Sequence, residues 1–429
     1  MKHIVFVMGS YYPRFSAVGA CGHRVITALK GEFKISVIAM ADEHAEELRA
    51  NVDGVDIYRV VTPDIATRAR LARNLQNHSN AKDRLHLLAL RGRSTLRRLL
   101  SPATIDHALV DAYLHQLRQI RDFDVIVPLV FPFESVIAAL EYASSSDVMV
   151  IPYLFDNFVE SRSLHVLAIA RKLKERRHVR LEKDMLERSD AVLSMHPLET
   201  HFRKHFGSIV DRKIRFLEHP LLSKKERLAG PANATVRMVY TGALIRNIHE
   251  PSYVMDLIDT LDLGMPFEVD FYVMGNGASQ VKSKTTLFGV HVRNCGRVSK
   301  QEADVAVAQS TVLLNIGEIE GRQISSKVFE YMAAGKPIIH FAHSQDDAVA
   351  RILDRYPLAL CLLQKQHLMD ENREQFKRFV IANAGKSMDF EDVAEIFPEA
   401  LPETTARAFV DAITRRRDGI VTMATTFRV

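Results

Sequence analysis

The chain of 429 residues contains no tryptophan, few cysteines and no long apolar run. Its three cysteines, Cys21, Cys295 and Cys361, are scattered, which excludes a disulfide framework and a cysteine metal site. The histidines show no HExxH or similar ligand spacing, so no metal site is predicted. The first apolar run, Ile4 to Met8, is too short for the h-region of a secretory signal, and no stretch is long enough to cross a bilayer. These absences predict a protein of the reducing cytoplasm that holds no metal and no cofactor.

What is present is typical of a soluble globular protein, since 47% of the residues are hydrophobic and 25% are charged. A chain of this length is too long for one ordinary core and suits two domains. The net charge of +5 is uneven: residues 1–220 carry 32 Lys and Arg against 26 Asp and Glu, whereas the remainder carries 25 against 26. Much of the basic excess lies in two segments, Arg68 to Arg98 and Arg171 to Arg180.

Short apolar runs alternate with helical patterns along the chain, which predicts parallel, doubly wound sheets. The series begins at the N-terminus and restarts after Glu218-His219-Pro220, so two α/β domains are predicted. The predicted strands are 3–8, 34–40, 124–130, 148–154, 191–195, 236–241, 269–274, 311–316 and 337–341. The predicted helices are 19–29, 166–188, 252–261, 301–309, 327–334 and 403–417.

The domain boundaries follow from this restart. Residues 1–220 are expected to form an N-terminal Rossmann-like domain and residues 221–402 a C-terminal one. The polar stretch Leu222 to Ala234 contains a glycine and a proline and is typical of an interdomain linker. Residues 403–429, with the last predicted helix, are expected to pack back on the first domain.

Two glycine patterns do not meet the requirements of nucleotide-binding motifs. Gly385-Lys386-Ser387 resembles the end of a P-loop, but Val380 stands where the first glycine is needed. The segment 275–277 (GNG) follows a strand, but Gln280 replaces the third glycine of a dinucleotide fingerprint. A tight turn at the end of a strand is the better prediction for the second pattern.

Open α/β sheets bind ligands at the carboxyl ends of their strands, and two loops of the second domain carry suitable residues there. The first is the segment 240–246 (YTGALIR), directly after that domain's first strand. Gly242 allows a ligand to approach the backbone, and Arg246 offers a planar fork of donors suited to phosphate. The alternative is a glycine turn followed by a surface arginine.

The second loop opens the segment 325–337 (SSKVFEYMAAGKP). Ser325 or Ser326 can cap a helix that begins at Lys327, and free backbone N–H groups at that end attract an anion. Lys327 adds a positive charge there. Glu330 follows one turn later on the same face and could accept both hydroxyls of a ribose. For Glu330 alone the alternative is a solvated helix carboxylate, but the complete assembly predicts a nucleotide site.

The segment 325–339 (SSKVFEYMAAGKPII) resembles the donor-binding segment of the GT-B-fold, retaining glycosyltransferases of family 4. In particular, it resembles the segment of bacterial surface-polysaccharide transferases with a P-S-K-x-x-E-Y-x-A-x-G-K-P pattern. The segment 19–24 (GACGHR) is similar to their glycine-rich first loop, 156–161 (DNFVES) to their D-x-W-P-E-S segment, and 181–192 to their L-E-x-x-x-x-x-x-A-D-x-V stretch. The resemblance covers nearly the whole chain and implies two Rossmann-like domains facing a central cleft.

The resemblance implies a role for each matching residue of the donor site. Arg246 and Lys327 would be the cations that bind the diphosphate and act in catalysis, and Glu330 would accept the ribose hydroxyls. Gly19 would lie beneath the donor diphosphate at the cleft. With Gly242, Ser325 and Ser326, these residues form the predicted donor site.

The expected acceptor residues lie in the first domain. They are Arg24 in the helix after the glycine-rich loop, and Asp156 and Glu160 after a strand. For the two acids the alternative is a helix cap and a surface charge.

Two departures from the family's pattern concern the donor sugar more than the class of activity. Many members place a glutamate eight residues before the ribose glutamate, where this chain has Arg322. Glu318 and Glu320 lie nearby but out of register. Ile324 stands where the subgroup has proline.

The resemblance implies a metal-independent hexosyltransferase that acts with retention of anomeric configuration. Its donor would be a nucleoside-diphosphate sugar, with uridine as the default base. Its acceptor would be a hydroxyl of a glycan or a lipid-linked molecule, in bacterial polysaccharide or glycoconjugate biosynthesis. Two other functions stay open: a sugar-nucleotide epimerase with the same architecture, and a non-catalytic partner subunit. Arg322 favours the partner subunit, whereas the retained donor-site residues oppose it.

The basic segment Arg68 to Arg98 holds nine Lys and Arg and a single acid, Asp83. Leucines are interleaved at spacings that a helix could place on one side. A solvated helical face is the simplest interpretation. Nucleic-acid binding fits the charge, but no recognition motif accompanies it, so it is not predicted. The resemblance favours a peripheral contact with anionic lipid on the inner face of the membrane, because polysaccharide transferases of this kind commonly act on lipid-linked acceptors and anionic headgroups attract basic residues.

Overall fold

The computed structural model describes residues 1–13, 15–41, 47–64, 66–67, 70–71, 74, 81–100, 105–156, 158–159, 168–224, 235–286, 288–321, 324 and 326–415. For residues 81, 91, 93–100, 168–171 and 326 it gives the backbone only. The chain divides into two compact units. Unit 1 is Met1–Pro220 together with Pro402–Val429, and unit 2 is Leu221–Leu401.

Unit 1 is built on a mainly parallel sheet. Its strands, within the described residues, are β1 (His3–Met8), β2 (Lys34–Met40), β3 (Arg49–Val52), β4 (Val55–Val60), β5 (Val125–Val130), β6 (Met149–Val150), β7 (Tyr153–Leu154), β8 (Val192–Met195) and β9 (Ile214–Leu217). They are ordered β3-β4-β2-β1-β5-β7-β8-β9, with β6 beside β5. The hairpin β3–β4 is antiparallel, and the other pairs are parallel. The central strands β1 and β5 are buried throughout and, apart from His3, apolar, as expected for strands covered by helices on both faces.

The helices of unit 1, within the described residues, are α1 (Ala17–Leu29), α2 (Ala81–Leu100), α3 (His107–Gln119), α4 (Glu134–Ala143), α5 (Ala168–Arg188), α6 (Glu199–Phe206) and α7 (Ser208–Lys213). Helix α1 begins two residues before the predicted start because the Ser16 side chain caps it, accepting a hydrogen bond from the Gly19 N–H.

Unit 2 repeats the doubly wound pattern. Its described strands are β10 (Val236–Ala243), β11 (Phe267–Met274), β12 (Lys284–Thr285), β13 (His291–Asn294), β14 (Val312–Ile316), β15 (Ile338–Ala342) and β16 (Ala359–Leu363). Its described helices are α8 (Ser252–Asp259), α9 (Lys300–Gln309), α10 (Ser326–Ala333), α11 (Ala348–Leu353), α12 (Met369–Asn383) and α13 (Phe390–Ile396).

The order of this second sheet, β12-β13-β11-β10-β14-β15-β16, determines where a ligand can bind. The chain first builds outward from β10 through β11 and β13, and then returns to place β14 on the other side of β10. Since these strands are parallel, the loops that follow β10, β11 and β14 share one edge. This reversal of strand order is the usual place of a ligand crevice in open α/β sheets.

The last described helix, α14 (Pro402–Arg415), belongs to unit 1 although it follows unit 2 in sequence. Its Phe409 ring lies edge-on to Phe6 of β1 and to Tyr153 of β7, with centroids 6.1 and 5.4 Å apart. Ala406, Ala408 and Ile413 join the same buried cluster. Residues 416–429 lie outside the described part.

One predicted strand differs in the structure. The run 148–154 was expected to be continuous, but it forms the separate short strands β6 and β7. The break lies at Ile151 and Pro152, because proline has no backbone N–H to donate to a neighbouring strand. Among the described helices, none combines the length and the apolar character needed to span a membrane.

Candidate functional site

Gly242 at the end of β10 lies directly against Lys327 at the start of α10. A Cβ atom added to Gly242 would lie 1.8 Å from the Lys327 Nζ atom, so the lysine occupies the space that any other side chain would need. The φ of Gly242 is +146°, which L-amino acids with side chains rarely adopt. These two predicted residues therefore form one structural pair.

The Lys327 ammonium group is packed among uncharged atoms. Nζ lies 5.0 Å from the centroid of the Tyr240 ring and 3.4 Å from its hydroxyl. Burial lowers the pKa of Lys327 to about 8, while the Glu330 carboxylate acts in the opposite direction. A cation that is poorly solvated in this way gains more from a bound anion than one exposed to water.

Helix α10 is fixed to the end of β10 by Tyr331. The Tyr331 hydroxyl accepts a hydrogen bond from the Thr241 N–H at 2.9 Å, and its side chain is buried. The helix begins at Ser326, one residue before the predicted start. Ser325 lies outside the described residues, and for Ser326 only the backbone is described, so their role as caps remains a prediction.

Glu330 stands one turn after Lys327 and carries an ion pair that the sequence did not indicate. Its Oε2 atom lies 2.6 Å from Nζ of Lys300, the first residue of α9. Burial opposes the charge of this lysine, but the Glu330 and Asp304 carboxylates outweigh it and raise the pKa of Lys300. Glu330 is therefore held by a partner from another helix, not simply solvated.

Arg246 is exposed on the loop that follows β10, and residues just after β11 orient it. Its N–H donates to Asn276 Oδ1 at 2.9 Å, and its Nη2 lies 3.4 Å from Ser279 Oγ. Gly275 makes this approach possible, since a Cβ there would lie 2.5 Å from the Leu244 carbonyl oxygen. The GNG segment thus forms the predicted turn and also supports the Arg246 loop.

The loop after β14 joins the same edge. The Ile319 N–H donates to the Ile248 carbonyl at 2.8 Å, and the backbones of Glu318 and His249 form an isolated antiparallel β-bridge. Burial, with the nearby charge of Lys327, lowers the pKa of His249 to about 4, so this imidazole is neutral at physiological pH. Burial and neighbouring carboxylates raise the pKa of Glu318. Arg322, which stands where many members of the family have a glutamate, lies outside the described residues.

Buried polar side chains of β14, β15 and the start of α11 form a hydrogen-bond chain next to this loop. Asn315 Nδ2 and His340 Nδ1 lie 2.8 Å apart, and His340 Nε2 lies 3.1 Å from Asp347 Oδ1. The same Asp347 oxygen accepts the N–H groups of Val349 and Ala350 and so caps α11. None of these residues belongs to a recognisable motif, and only their buried polar character would have signalled them.

The predicted residues of unit 1 are placed separately. Gly19 lies in the first turn of α1, where a Cβ would meet the Ser10 carbonyl oxygen at 2.4 Å, so packing alone requires a glycine there. Its donor role remains a prediction. Arg24 is partly buried on the same helix.

Asp156 is exposed after β7, and Glu160 lies outside the described residues. Buried Glu182 orders the segment that follows Asp156: its Oε1 accepts the N–H groups of Phe158 and Val159 at 2.9 and 3.3 Å. Its Oε2 lies 2.7 Å from His201 Nε2. The structure therefore brings together two segments that the sequence only marks as family-like.

Two successive doubly wound parallel sheets place the chain in the class of α/β proteins built from two Rossmann-like units. No protein-family model matches the chain, and no curated protein sequence matches it. Solved structures, however, share its fold. Sucrose-phosphate synthase from Thermosynechococcus elongatus has a TM-score of 0.58 at 10% identity, covering 98% of this chain and 100% of that chain.

Two further structures give the same result. The apo form of the lipopolysaccharide outer core galactosyltransferase WaaB has a TM-score of 0.55 at 11% identity. HepE from Anabaena, in complex with UDP and glucose, has a TM-score of 0.55 at 9% identity. Each comparison covers 97% of this chain and 100% of the other. The chain therefore has the GT-B fold, and the predicted fold class is confirmed.

Proposed function

We propose that the chain is a glycosyltransferase that moves a hexose from a nucleoside-diphosphate sugar to a hydroxyl acceptor with retention of configuration. Unit 2 is the donor domain and unit 1 the acceptor domain in this proposal. Uridine is the expected base. The HepE structure, which shares the fold, contains UDP and glucose, and this supports the choice.

The observation that carries the proposal is the pairing of Gly242 with Lys327 at the carboxyl edge of the second sheet. A backbone without a side chain, a poorly solvated ammonium and a helix N-terminus lie within one small region. Each of these elements favours a phosphate group. Glu330, one turn further along α10, is suited to the ribose hydroxyls of the same ligand.

The chemistry follows from the charge that develops on the departing diphosphate. As the anomeric carbon–oxygen bond loosens, Lys327, Arg246 and the amides at the start of α10 stabilise that charge. A diphosphate oxygen takes the proton of the acceptor hydroxyl as the new glycosidic bond forms on the same face. This route needs no metal and no covalent protein nucleophile.

The acceptor is proposed to be a glycan or a lipid-linked molecule of bacterial polysaccharide synthesis, bound near Arg24, Asp156 and Glu160 of unit 1. Transfer would take place at the cytoplasmic face of the membrane. Helix α2 supports the membrane part of this proposal, since its Leu85 and Leu88 side chains are 71% and 63% exposed beside basic residues.

Removing the predicted ribose acceptor tests the donor site. Glu330→Ala is expected to weaken binding of UDP by about 1–3 kcal/mol, because charge-assisted hydrogen bonds to the ribose are lost. Isothermal titration calorimetry measures this change. Glu395→Ala removes an exposed carboxylate from α13 and should leave the affinity unchanged. Equal affinities for the Glu330 variant and the wild type would remove Glu330 from the site.

Metal independence has its own test. Turnover of the sugar nucleotide is expected to survive excess EDTA, since side-chain cations and a helix end stabilise the diphosphate. Mass spectrometry of the released nucleoside diphosphate follows the reaction. Loss of turnover in EDTA, with recovery on addition of manganese or magnesium, would contradict the mechanism.

Contact with lipid is tested by vesicle flotation. The protein is expected to bind anionic vesicles in a salt-sensitive manner and neutral vesicles weakly, because each basic residue near an anionic surface contributes about 1 kcal/mol. Leu85→Ser with Leu88→Ser should reduce binding, whereas Ile381→Ser, at an exposed position of unit 2, should not. If no association occurs even at low salt, α2 is only a solvated surface.

A further inference from the structure

Lys300 occupies an unusual position for a cation. It is the first residue of α9, and the N-terminal end of a helix carries a positive partial charge that disfavours a lysine. Two carboxylates hold it there: Nζ lies 2.6 Å from Glu330 Oε2 and 3.2 Å from Asp304 Oδ1. The two carboxylates, and not the helix dipole, therefore account for a lysine at the start of α9.

The pair between Lys300 and Glu330 is also unequal in exposure. The Lys300 side chain is 64% exposed and that of Glu330 is 21% exposed. Ion pairs with so much solvent contact add little to the stability of a fold. The main effect of this ion pair is therefore expected on the orientation of the Glu330 carboxylate, which lies one helical turn from Lys327.

We propose that Lys300 is a positioning residue of the nucleotide site, which holds the Glu330 carboxylate in one orientation for the hydroxyls of a ribose. This inference rests on the proposed function, and it adds a residue that contacts no part of the ligand itself. Lys300 acts from α9, whereas Lys327 and Glu330 lie on α10 and Gly242 lies at the end of β10.

The chemistry of the two side chains explains why Glu330 accepts the ribose hydroxyls and Lys300 only positions it. Ribose hydroxyls are donors here, and an ionised carboxylate accepts them more strongly than a neutral group does. A lysine has only donors, so it cannot replace Glu330 as the acceptor. Fixing the carboxylate before the ligand arrives reduces the ordering that binding would otherwise require. The effect of Lys300 should therefore depend on the presence of ribose hydroxyls in the ligand.

The experiment compares a ribonucleotide with its deoxygenated counterpart. Calorimetry first identifies which of UDP, GDP, ADP and CDP binds the wild-type chain most tightly. The affinities of that nucleotide and of its 2′,3′-dideoxy form are then measured for Lys300→Met, Lys300→Arg and Lys386→Met. Lys386 is exposed beyond the end of α12, near the opposite edge of the sheet, and its replacement removes the same charge.

Lys300→Met is expected to weaken binding of the ribonucleotide by about fivefold to twentyfold, while the dideoxy form changes less than about twofold. Lys300→Arg, which preserves the charge, should restore most of the affinity, and Lys386→Met should change neither. Thermal unfolding confirms that each variant is folded.

Three results would overturn the inference while leaving the proposed function intact. An equal loss for both ligands would show that Lys300 acts on the phosphates or through general charge. An unchanged affinity would show that Glu330 needs no such support. A gain in affinity would show that Lys300 competes with the ribose. Failure of all four nucleotides to bind the wild type would instead overturn the proposed function, and this inference with it.

Discussion

Gly242→Ala is expected to reduce turnover as strongly as removal of the Lys327 charge, although the substitution adds a single methyl group. The added Cβ would lie 1.8 Å from Lys327 Nζ and 2.5 Å from Cε, so the ammonium must leave its position. Loss of one fixed cation at a departing diphosphate corresponds to about 2.7–4 kcal/mol, or roughly 10²–10³ in turnover. Lys327→Met should produce a loss of the same size.

The matched control for this substitution is Gly264→Ala. Gly264 also has a positive φ, +70°, but no atom lies within 4 Å of its added Cβ. Both variants place a side chain at a positive φ, although +146° at Gly242 lies farther from the allowed left-handed region than +70° at Gly264, and only Gly242→Ala displaces Lys327. Normal turnover of Gly264→Ala beside inactive Gly242→Ala is predicted. If Gly242→Ala remains fully active while Lys327→Met does not, the lysine reaches its ligand from another position.

Nucleotide affinity is expected to fall as the pH rises above 8. Burial lowers the pKa of Lys327 to about 8, so the ammonium is charged below that value and neutral above it. A diphosphate binds the charged form, and the dissociation constant should therefore rise by up to about tenfold per pH unit above pH 8 and stay nearly constant between pH 7 and 7.5. Calorimetry between pH 7 and 10 measures the profile.

His249, Tyr331 and Tyr240 lie near Lys327, and none of the three is expected to change its charge between pH 7 and 10. The pKa of His249 is lowered to about 4 by burial and by nearby positive charge, so its imidazole is already neutral at pH 7. Burial raises the pKa of Tyr331 to about 12 and that of Tyr240 higher still. Lys327→Arg keeps its charge throughout the range and should flatten the profile. A profile that is the same in both proteins would assign the pH dependence to another group.

The local parts of the site could be predicted from the sequence because each is contained in a short segment. The glycine and arginine of the β10 loop, and the lysine and glutamate of α10, follow strands whose apolar runs are plain. Gly335, within the same segment, lies just beyond the last helical residue at a φ of +67°, a conformation that favours glycine. Such features depend on neighbours in the chain.

The partners of these residues could not be predicted, since the order of the strands decides them. Tyr331 and Thr241 are 90 residues apart, and Lys300 and Glu330 are 30 apart. They meet because β14 lies beside β10. No periodicity in the sequence specifies that neighbour.

The missed elements of the fold have a similar physical basis. Strand β13 alternates between exposed and buried residues over only four positions, which is too short for a clear pattern. Helix α4 follows β5 closely and is buried on most of its surface, so it lacks the polar stripe by which an amphipathic helix is recognised. By contrast, the predicted strands include those that correspond to β1, β2, β5, β10, β11, β14 and β15.

The most direct measurement is mass spectrometry of a panel of sugar nucleotides after incubation with the wild-type chain and with Lys327→Met in excess EDTA. The account predicts that the wild type releases a nucleoside diphosphate from one of these donors, as slow hydrolysis or as transfer to an added acceptor, and that the variant releases about 10²–10³-fold less. Conversion of a sugar nucleotide to its epimer would identify an isomerase. Consumption of no donor, or equal consumption by both proteins, would contradict the assignment of this site to glycosyl transfer.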